Sequence, residues 1–204
     1  MDMRNKILII SRELFISSGF SSITMDDIAK EVAMSKKTLY KYFPNKEALL
    51  KEAILSHFSV IESRIKMVVE DEKIDIIGKF KKVTEIIIYY ISNISPAFIR
   101  DVKKNTPELW NNISKERKKL IIRYFTVIID EGVKSGQMRK DLDKELVFNI
   151  YLTAVENIIN PGSLSELSCS PGQVFEVLLK LFFEGMLTDK GRNNLNELKF
   201  GGAK

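Results

Sequence analysis

Apolar residues recur at spacings of three and four along most of the chain, which is the period of an amphipathic helix. One such series consists of Leu50, Ile54, Phe58, Ile61, Ile65 and Val68. Similar series lie within residues 80–94 and 147–158. Alternation of apolar and polar residues over the length of a strand is hard to find. The sequence therefore predicts an all-α fold.

Glycine and capping residues divide the N-terminal part of this pattern into short helices. Gly19 follows a predicted helix of about residues 3–18, in the position where glycine commonly ends a helix. Thr24 is a favourable N-cap for a helix of about residues 25–32, and Ser35 is one for the next helix. Two short helices joined by a tight turn are the layout of a helix-turn-helix.

The remainder of the chain reads as a larger helical bundle. A long helix is predicted from about 46 to 70, and another begins near residue 113. We predict a helix-turn-helix domain at 1–48 and a larger helical domain at 49–188. Residues 189–204 are rich in Asn, Gly and Lys, and this composition predicts a flexible tail.

Composition narrows the function classes. The 204 residues include one cysteine, Cys169, and one histidine, His57. These counts argue against a disulfide framework, a cysteine-based zinc site and a Ser-His or Cys-His nucleophile, so we expect no metal, no cofactor and no enzyme. The longest uncharged apolar-rich run near the middle, residues 86–99, is shorter than a membrane span requires. We therefore expect a cytoplasmic protein without a membrane partner.

Positive charge is concentrated around the second short helix. The net charge of the chain is only +5, but residues 30–46 hold five lysines and one acid. Lys36 and Lys37 open this helix, although the helix dipole disfavours cations at an N-terminus by roughly 0.3–1 kcal/mol each. A nucleic-acid phosphate would remove this conflict. The alternative is that these lysines form only a solvated helix face.

Residues 5–50 also resemble the DNA-binding domain of the TetR (TetR/AcrR) family of transcriptional regulators. The matching residues are Ile7-Leu8, Glu13-Leu14-Phe15, Gly19-Phe20, Thr24, Asp27-Ile28-Ala29, Val32-Ala33-Met34-Ser35, Thr38-Leu39-Tyr40, Tyr42-Phe43, Asn45-Lys46 and Leu49. Ala33 departs from the pattern, because the family commonly has glycine in this turn. Alanine fits there only if its φ stays negative, and we expect a negative φ.

The resemblance implies a role for each matching polar residue. Those expected to face the major groove are Ser35, Lys36, Lys37, Tyr40 and Lys41. Those expected to contact phosphate are Thr24, Thr38, Tyr42 and Lys46. The implied partner is double-stranded DNA with a palindromic operator, because two recognition helices of a dimer read half-sites one helical turn apart.

Two C-terminal helices are apolar on more than one side, which predicts burial on two sides. A dimer interface is one explanation, and a central place in a monomeric core is the other. The residues assigned to this interface are Val147, Ile150, Tyr151, Ala154, Ile158, Val174, Leu178, Leu181 and Phe182. The resemblance also implies that 1–48 is a DNA-binding domain and that 49–188 is a ligand-binding and dimerisation domain for a small-molecule effector. Candidate pocket residues are Phe80, Tyr89, Tyr90, Phe98, Trp110, Phe125 and Met138.

These observations predict a DNA-binding regulator, a repressor that a small hydrophobic effector releases from its operator. The alternatives are a ligand-independent regulator or activator of the same family, and a helical small-molecule-binding module without a DNA role. A further basic cluster is interpreted as a solvated helix face rather than a second DNA surface. It consists of Lys115, Arg117, Lys118, Lys119 and Arg123.

Overall fold

The structure, a computed structural model, describes residues 2–158 and 169–197. Within these ranges the chain is helical and contains no strand, apart from one isolated antiparallel bridge between Met138 and Leu187. The helices are α1 (Met3–Ser18), α2 (Met25–Val32), α3 (Lys36–Tyr42), α4 (Lys46–Val69), α5 (Ile76–Ser92), α6 (Pro96–Asn105), α7 (Pro107–Lys134), α8 (Lys144–Ile158), α9 (Pro171–Met186) and α10 (Asp189–Glu197). The all-α prediction is confirmed.

The described residues form two compact units. The first contains residues up to 60 and 93–116, and the second contains 61–92, 117–158 and the described residues from 169 onwards. The chain therefore leaves the first unit and returns to it, which the predicted boundary at residue 48 does not anticipate. The helix expected near residue 113 starts earlier, at Pro107, where proline suits the first helical position.

The first unit is built around the N-terminal helices. Its core includes Phe15 of α1, Ile28 of α2 and Leu39 of α3, all without solvent exposure. Helix α6 covers this core with Phe98 and Val102. The backbone N–H of Ser95 donates to the carbonyl of Ile16 (3.0 Å), and Asp101 accepts a hydrogen bond from the N–H of Ser21 (2.9 Å). Helix α6 thus belongs to the unit that carries the helix-turn-helix.

The second unit packs α9 against α5 and α8. Ser170 and Gln173 form a capping box at the start of α9, and Pro171 occupies its first turn. Gly132 lies so close to Met138 that an added Cβ would be 2.6 Å from the Met138 side chain. A side chain at position 132 would therefore require the Met138 side chain to move.

The tail predicted from residue 189 is wrong for its first part, because α10 occupies Asp189–Glu197. Leu195 is buried, and the ammonium of Lys190 donates to the carbonyl of Ser135 (2.9 Å). An added Cβ at Gly191 would lie 2.2 Å from the carbonyl oxygen of Gln137, so this glycine allows the helix to approach closely. Residues 198–204 of the predicted tail lie outside the described residues.

None of the described helices combines the length and hydropathy that a membrane crossing requires. Among the same residues, no three His, Cys, Asp or Glu side chains are grouped so as to hold a metal ion.

Candidate nucleic-acid interface

Local side-chain caps fix both helices of the helix-turn-helix. The hydroxyl of Thr24 accepts a hydrogen bond from the N–H of Asp27 (3.1 Å), and the Asp27 carboxylate accepts one from the N–H of Thr24 (2.9 Å). The hydrogen bonds from Thr24 hold the pKa of Asp27 below its usual value. Ser35 caps α3 in the same way, accepting from the N–H of Thr38 (3.1 Å). The starts of α2 and α3 are therefore set by neighbouring residues.

Ala33 makes the turn between these helices in a left-handed conformation, with φ 61° and ψ 49°. The expectation of a negative φ at this position is wrong. The N–H of Ala33 donates to the carbonyl of Lys30, and the N–H of Met34 donates to the carbonyl of Ala29. These backbone hydrogen bonds close the end of α2 as they would with glycine, and alanine adopts the strained backbone conformation.

Helix α3 buries one side and exposes the other. Leu39 and the following Phe43 are at most 1% exposed and belong to the core. The opposite side carries Lys36, Lys37, Tyr40 and Lys41, which we call the α3 outer face; all four are exposed. The predicted groove-facing residues, Ser35 included, are thus on the accessible side of the helix.

Lys36 has an acidic partner inside the protein. Its ammonium lies 2.8 Å from Oδ2 of Asp26, and both side chains are half exposed. The hydrogen bond and the charge of Asp26 raise the pKa of Lys36. The interpretation that a phosphate must supply the negative charge at this helix end therefore needs correction, because Asp26 supplies part of it.

Lys46 is directed into its own unit. Its ammonium donates to the carbonyls of Phe20 (2.8 Å) and Ile23 (2.7 Å) and lies 4.2 Å from the centre of the Phe20 ring. Partial burial lowers the pKa of Lys46. The family resemblance implied that this lysine contacts a DNA phosphate, whereas two of its three N–H donors are bonded to the segment before α2.

The remaining predicted DNA contacts differ in accessibility. Thr24 is exposed, whereas Thr38 is partly buried, with its hydroxyl 2.8 Å from that of Ser35. Tyr42 is also partly buried and packs against the core of the first unit.

Two basic residues of α1, absent from the predicted site, hold the ends of the helix-turn-helix. The Arg4 guanidinium binds the Glu52 carboxylate through two nitrogens, donates to the carbonyl of Tyr42 (3.1 Å) and lies 4.5 Å from the Phe43 ring centre. The Lys6 ammonium reaches the carbonyl of Val32 at 3.4 Å. Cations are favourable at helix C-termini, so both residues stabilise the ends of α2 and α3.

The seven predicted pocket residues are divided between the two units. Phe80 and Phe125 line a small cavity in the second unit, and Met138 is buried in that unit. Tyr89 is 63% exposed and contacts Tyr90 edge-on. Phe98 and Trp110 instead contribute to the core of the first unit.

The residues predicted at a dimer interface divide into a buried and an accessible group. Tyr151 and Val174 are buried within the second unit. Val147, Ala154, Ile158, Leu178 and Phe182 are partly buried. Ile150 and Leu181 are 51% and 65% exposed. Leu146 and Val177, each one turn before one of these two, are also exposed. We call Leu146, Ile150, Val177 and Leu181 the α8–α9 apolar rows.

Comparison with known proteins shows a family match in the N-terminal part of the chain. Residues 7–53 match the family model described as "Bacterial regulatory proteins, tetR family". The chain is 29% identical over 167 residues to the HTH-type transcriptional regulator QacR of Staphylococcus aureus, an alignment that covers 78% of this chain and 85% of QacR. It is 22% identical over 192 residues to the HTH-type transcriptional regulator YvaF of Bacillus subtilis, covering 92% and 97%.

A solved structure extends the similarity of fold to nearly the whole chain. The reduced form of Escherichia coli NemR has a TM-score of 0.68 at 14% identity, covering 92% of this chain and 98% of NemR. At this identity the match shows a shared fold.

Proposed function

We propose that the chain, whose residues 7–53 match the tetR family model, is a DNA-binding transcriptional regulator that acts as a homodimeric repressor and is released from a palindromic operator by a small effector. The observation that carries the DNA-contact assignment is the α3 outer face. Lys37, Tyr40 and Lys41 extend from a helix whose other side is anchored in the core, so a duplex can approach them.

The proposed contacts divide by chemistry. Lysine can donate to guanine O6 and N7 or to phosphate, and a tyrosine hydroxyl can bind phosphate or a base edge. We assign Lys37 and Tyr40 to the major groove, with Ser35, Lys36 and Lys41 beside them. Thr24 and Thr38 are assigned to phosphate. Lys36 would exchange or share its bond to Asp26 on binding, and Lys46 would position the segment before α2.

We expect a two-fold symmetric dimer because one recognition helix contacts too few base pairs to be specific. Helix α3 has seven residues and covers only a few base pairs, so specificity requires a second copy. The α8–α9 apolar rows supply a surface that a second copy can bury. Two recognition helices about 34–36 Å apart would then read half-sites one turn apart.

Selection from a random duplex pool, followed by titration of the enriched sequence, tests the proposal. We expect an inverted repeat, and affinity that falls steeply with salt because lysines displace counterions from phosphate. The double variant Lys37→Ala/Tyr40→Ala should lose at least about 30-fold in affinity if each side chain contributes about 1–3 kcal/mol. Lys104→Ala, an exposed lysine of α6, is the charge-matched control.

Two outcomes would contradict the proposal. Equal affinity for the enriched and for random duplex would indicate a nonspecific nucleic-acid protein. Unchanged affinity of the double variant for the enriched duplex would show that α3 does not contact DNA.

A further inference from the structure

A small cavity lies inside the second unit, between α5, α7, α8 and α9. Its volume is about 20 Å³, close to the space for a single water. Most of its wall is aromatic: Phe80, Phe125, Phe148, Phe182 and Phe183, together with Tyr151. An apolar wall of this kind suits the hydrocarbon part of a ligand.

Tyr151 brings a polar group to this apolar wall. The residue is only 4% exposed, and its ring contacts Phe175 and Phe182 edge-on. Its hydroxyl is buried and has no hydrogen-bond partner among the residues that the structure describes. Burial raises the pKa of Tyr151, so the phenol is a neutral donor at physiological pH. A buried donor without a partner is unfavourable, and it calls for an acceptor.

Arg117 provides a positive charge beside the same wall. It lies one helical turn before Ile121, which lines the cavity, and its positive charge lowers the pKa of Tyr151 against the larger opposite effect of burial. Its side chain is 19% exposed, and neither Nε nor Nη2 has a hydrogen-bond partner within the described part of the chain. The acid paired with it is Glu156, whose Oε1 lies 3.9 Å from Nη2, beyond hydrogen-bond distance.

From this juxtaposition we infer that the second unit binds a small molecule with an apolar body and one carboxylate or related oxyanion. The oxyanion accepts hydrogen bonds from Nε and Nη2 of Arg117 and from the Tyr151 hydroxyl, and the apolar body enters between the aromatic rings. Arginine presents two parallel N–H donors to a carboxylate, which makes this class specific. A cation would be repelled by the guanidinium, and a neutral molecule would leave it unsatisfied.

This inference rests on the proposed function, because it names the chemical class of the effector. A ligand of this class is larger than the cavity, so the aromatic wall must rearrange to admit it. The ligand then binds one conformation more tightly than the other, and this difference is what an effector needs in order to shift a population.

Calorimetry on the full chain without DNA tests the ligand class. The probes are the straight-chain carboxylates from hexanoate to dodecanoate, with 1-decanol and decyltrimethylammonium as neutral and cationic comparisons for decanoate. We expect at least one carboxylate to bind, and decanoate to bind at least tenfold more tightly than either comparison. Binding by none of the carboxylates, or equal binding of decanoate and decanol, would overturn the inference.

Variants distinguish a binding role from a structural one. Arg117→Gln and Tyr151→Phe should each weaken carboxylate binding roughly tenfold or more, because a charge-assisted hydrogen bond is lost. Arg123→Gln, a more exposed arginine of the same helix paired with Glu62, should bind as the wild type does.

Tyr151→Phe should also raise the Tm of the unliganded protein, since it removes a buried hydroxyl without a partner while keeping the ring. This combination keeps the test decisive even if Arg117→Gln fails to fold. A lower Tm together with unchanged carboxylate affinity would show that the hydroxyl serves only the fold. Titration of operator DNA without ligand is measured separately, so loss of ligand binding and loss of DNA binding are distinguished.

Discussion

At the scale of single residues, the turn of the helix-turn-helix stores backbone strain in Ala33. Its φ of 61° costs a non-glycine residue roughly 1–2 kcal/mol. Glycine has no such penalty but loses about 0.5–1 kcal/mol more conformational entropy on folding. Ala33→Gly should therefore raise the free energy of unfolding by up to about 1 kcal/mol in urea titration. Ala48→Gly, inside helix α4, should instead lower it by a similar amount. A destabilised Ala33→Gly variant would contradict the left-handed turn.

Asp27 makes the start of α2 sensitive to acid. Hydrogen bonds from Thr24 lower its folded pKa below the usual 3.8. Its ionised form therefore contributes stability that is complete above the unfolded pKa and is lost as the pH falls through the folded pKa. Asp27→Asn removes this ionisation. We expect the Tm difference between wild type and variant to be largest near pH 7 and to shrink below about pH 4. Glu31→Gln, an exposed acid of the same helix, is the control for the loss of one negative charge.

Sequence reasoning succeeds at this scale where interactions are local. Thr24 and Ser35 cap helices through atoms three residues away, so residue type and spacing were sufficient to predict both helix starts. The ion pair between Lys36 and Asp26 joins residues ten positions apart, and it forms only because the turn between α2 and α3 brings the two side chains together. The conformation of Ala33 is equally a property of the assembled turn, and residue type favoured the opposite sign of φ.

At the scale of elements, α3 owes its orientation to α1 and α4 as well as to its own core residues. Arg4 joins the C-terminus of α3 to Glu52 of α4 across 48 positions of sequence. Lys46 similarly joins α4 to the carbonyls of Phe20 and Ile23. No spacing rule connects such residues, so no sequence signal pointed to Arg4, and Lys46 was assigned to DNA through the family resemblance alone. The burial of Arg117, expected on a solvated face, is another consequence of tertiary packing.

Replacing Arg4 should therefore weaken DNA binding without removing a DNA contact. Arg4→Met keeps the aliphatic stem but loses the bonds to Glu52 and to the Tyr42 carbonyl. Because the ion pair is about 40% exposed, we expect unfolding to become easier by only about 1 kcal/mol. Operator affinity should nevertheless fall several-fold, since the end of α3 is released. Thermal melting and operator titration measure the two effects, with Arg100→Met of α6 as the control. Full operator affinity would show that α3 holds its position without Arg4.

At the scale of the whole molecule, the helical class was predictable from the pattern, whereas the division of the chain into its two units was not. The periodicity of apolar residues predicts which segments form helices, and the N-cap residues predict where most of these helices begin. The return of α6 to the first unit was not predictable, because its apolar residues fit either core. Helix α10 was missed for a related reason: its composition is polar, and it is anchored by Leu195 and by contacts to the segment at residues 135–137.

The α8–α9 apolar rows carry the prediction for the assembly. Leu146, Ile150, Val177 and Leu181 are each more than half exposed, although large apolar side chains in water are unfavourable. Burial of these rows against a second copy would form an isologous interface, in which each row meets its two-fold counterpart. Ile150→Glu/Leu181→Glu would place four carboxylates in that contact, two from each copy, without disturbing the core of one copy. Sedimentation should then show a monomer where the wild type is a dimer.

Loss of the dimer should also weaken DNA binding. A monomer presents one α3, so its affinity for the full palindrome should fall to that for a single half-site, while the thermal unfolding of each copy persists. Met67→Glu, at a 72% exposed position of α4, adds one carboxylate per copy outside the rows and should leave both the dimer and the palindrome affinity unchanged. If the double variant still sediments as a dimer, the assignment of the dimer interface to α8 and α9 is wrong. A monomer with full palindrome affinity would instead separate dimerisation from operator recognition.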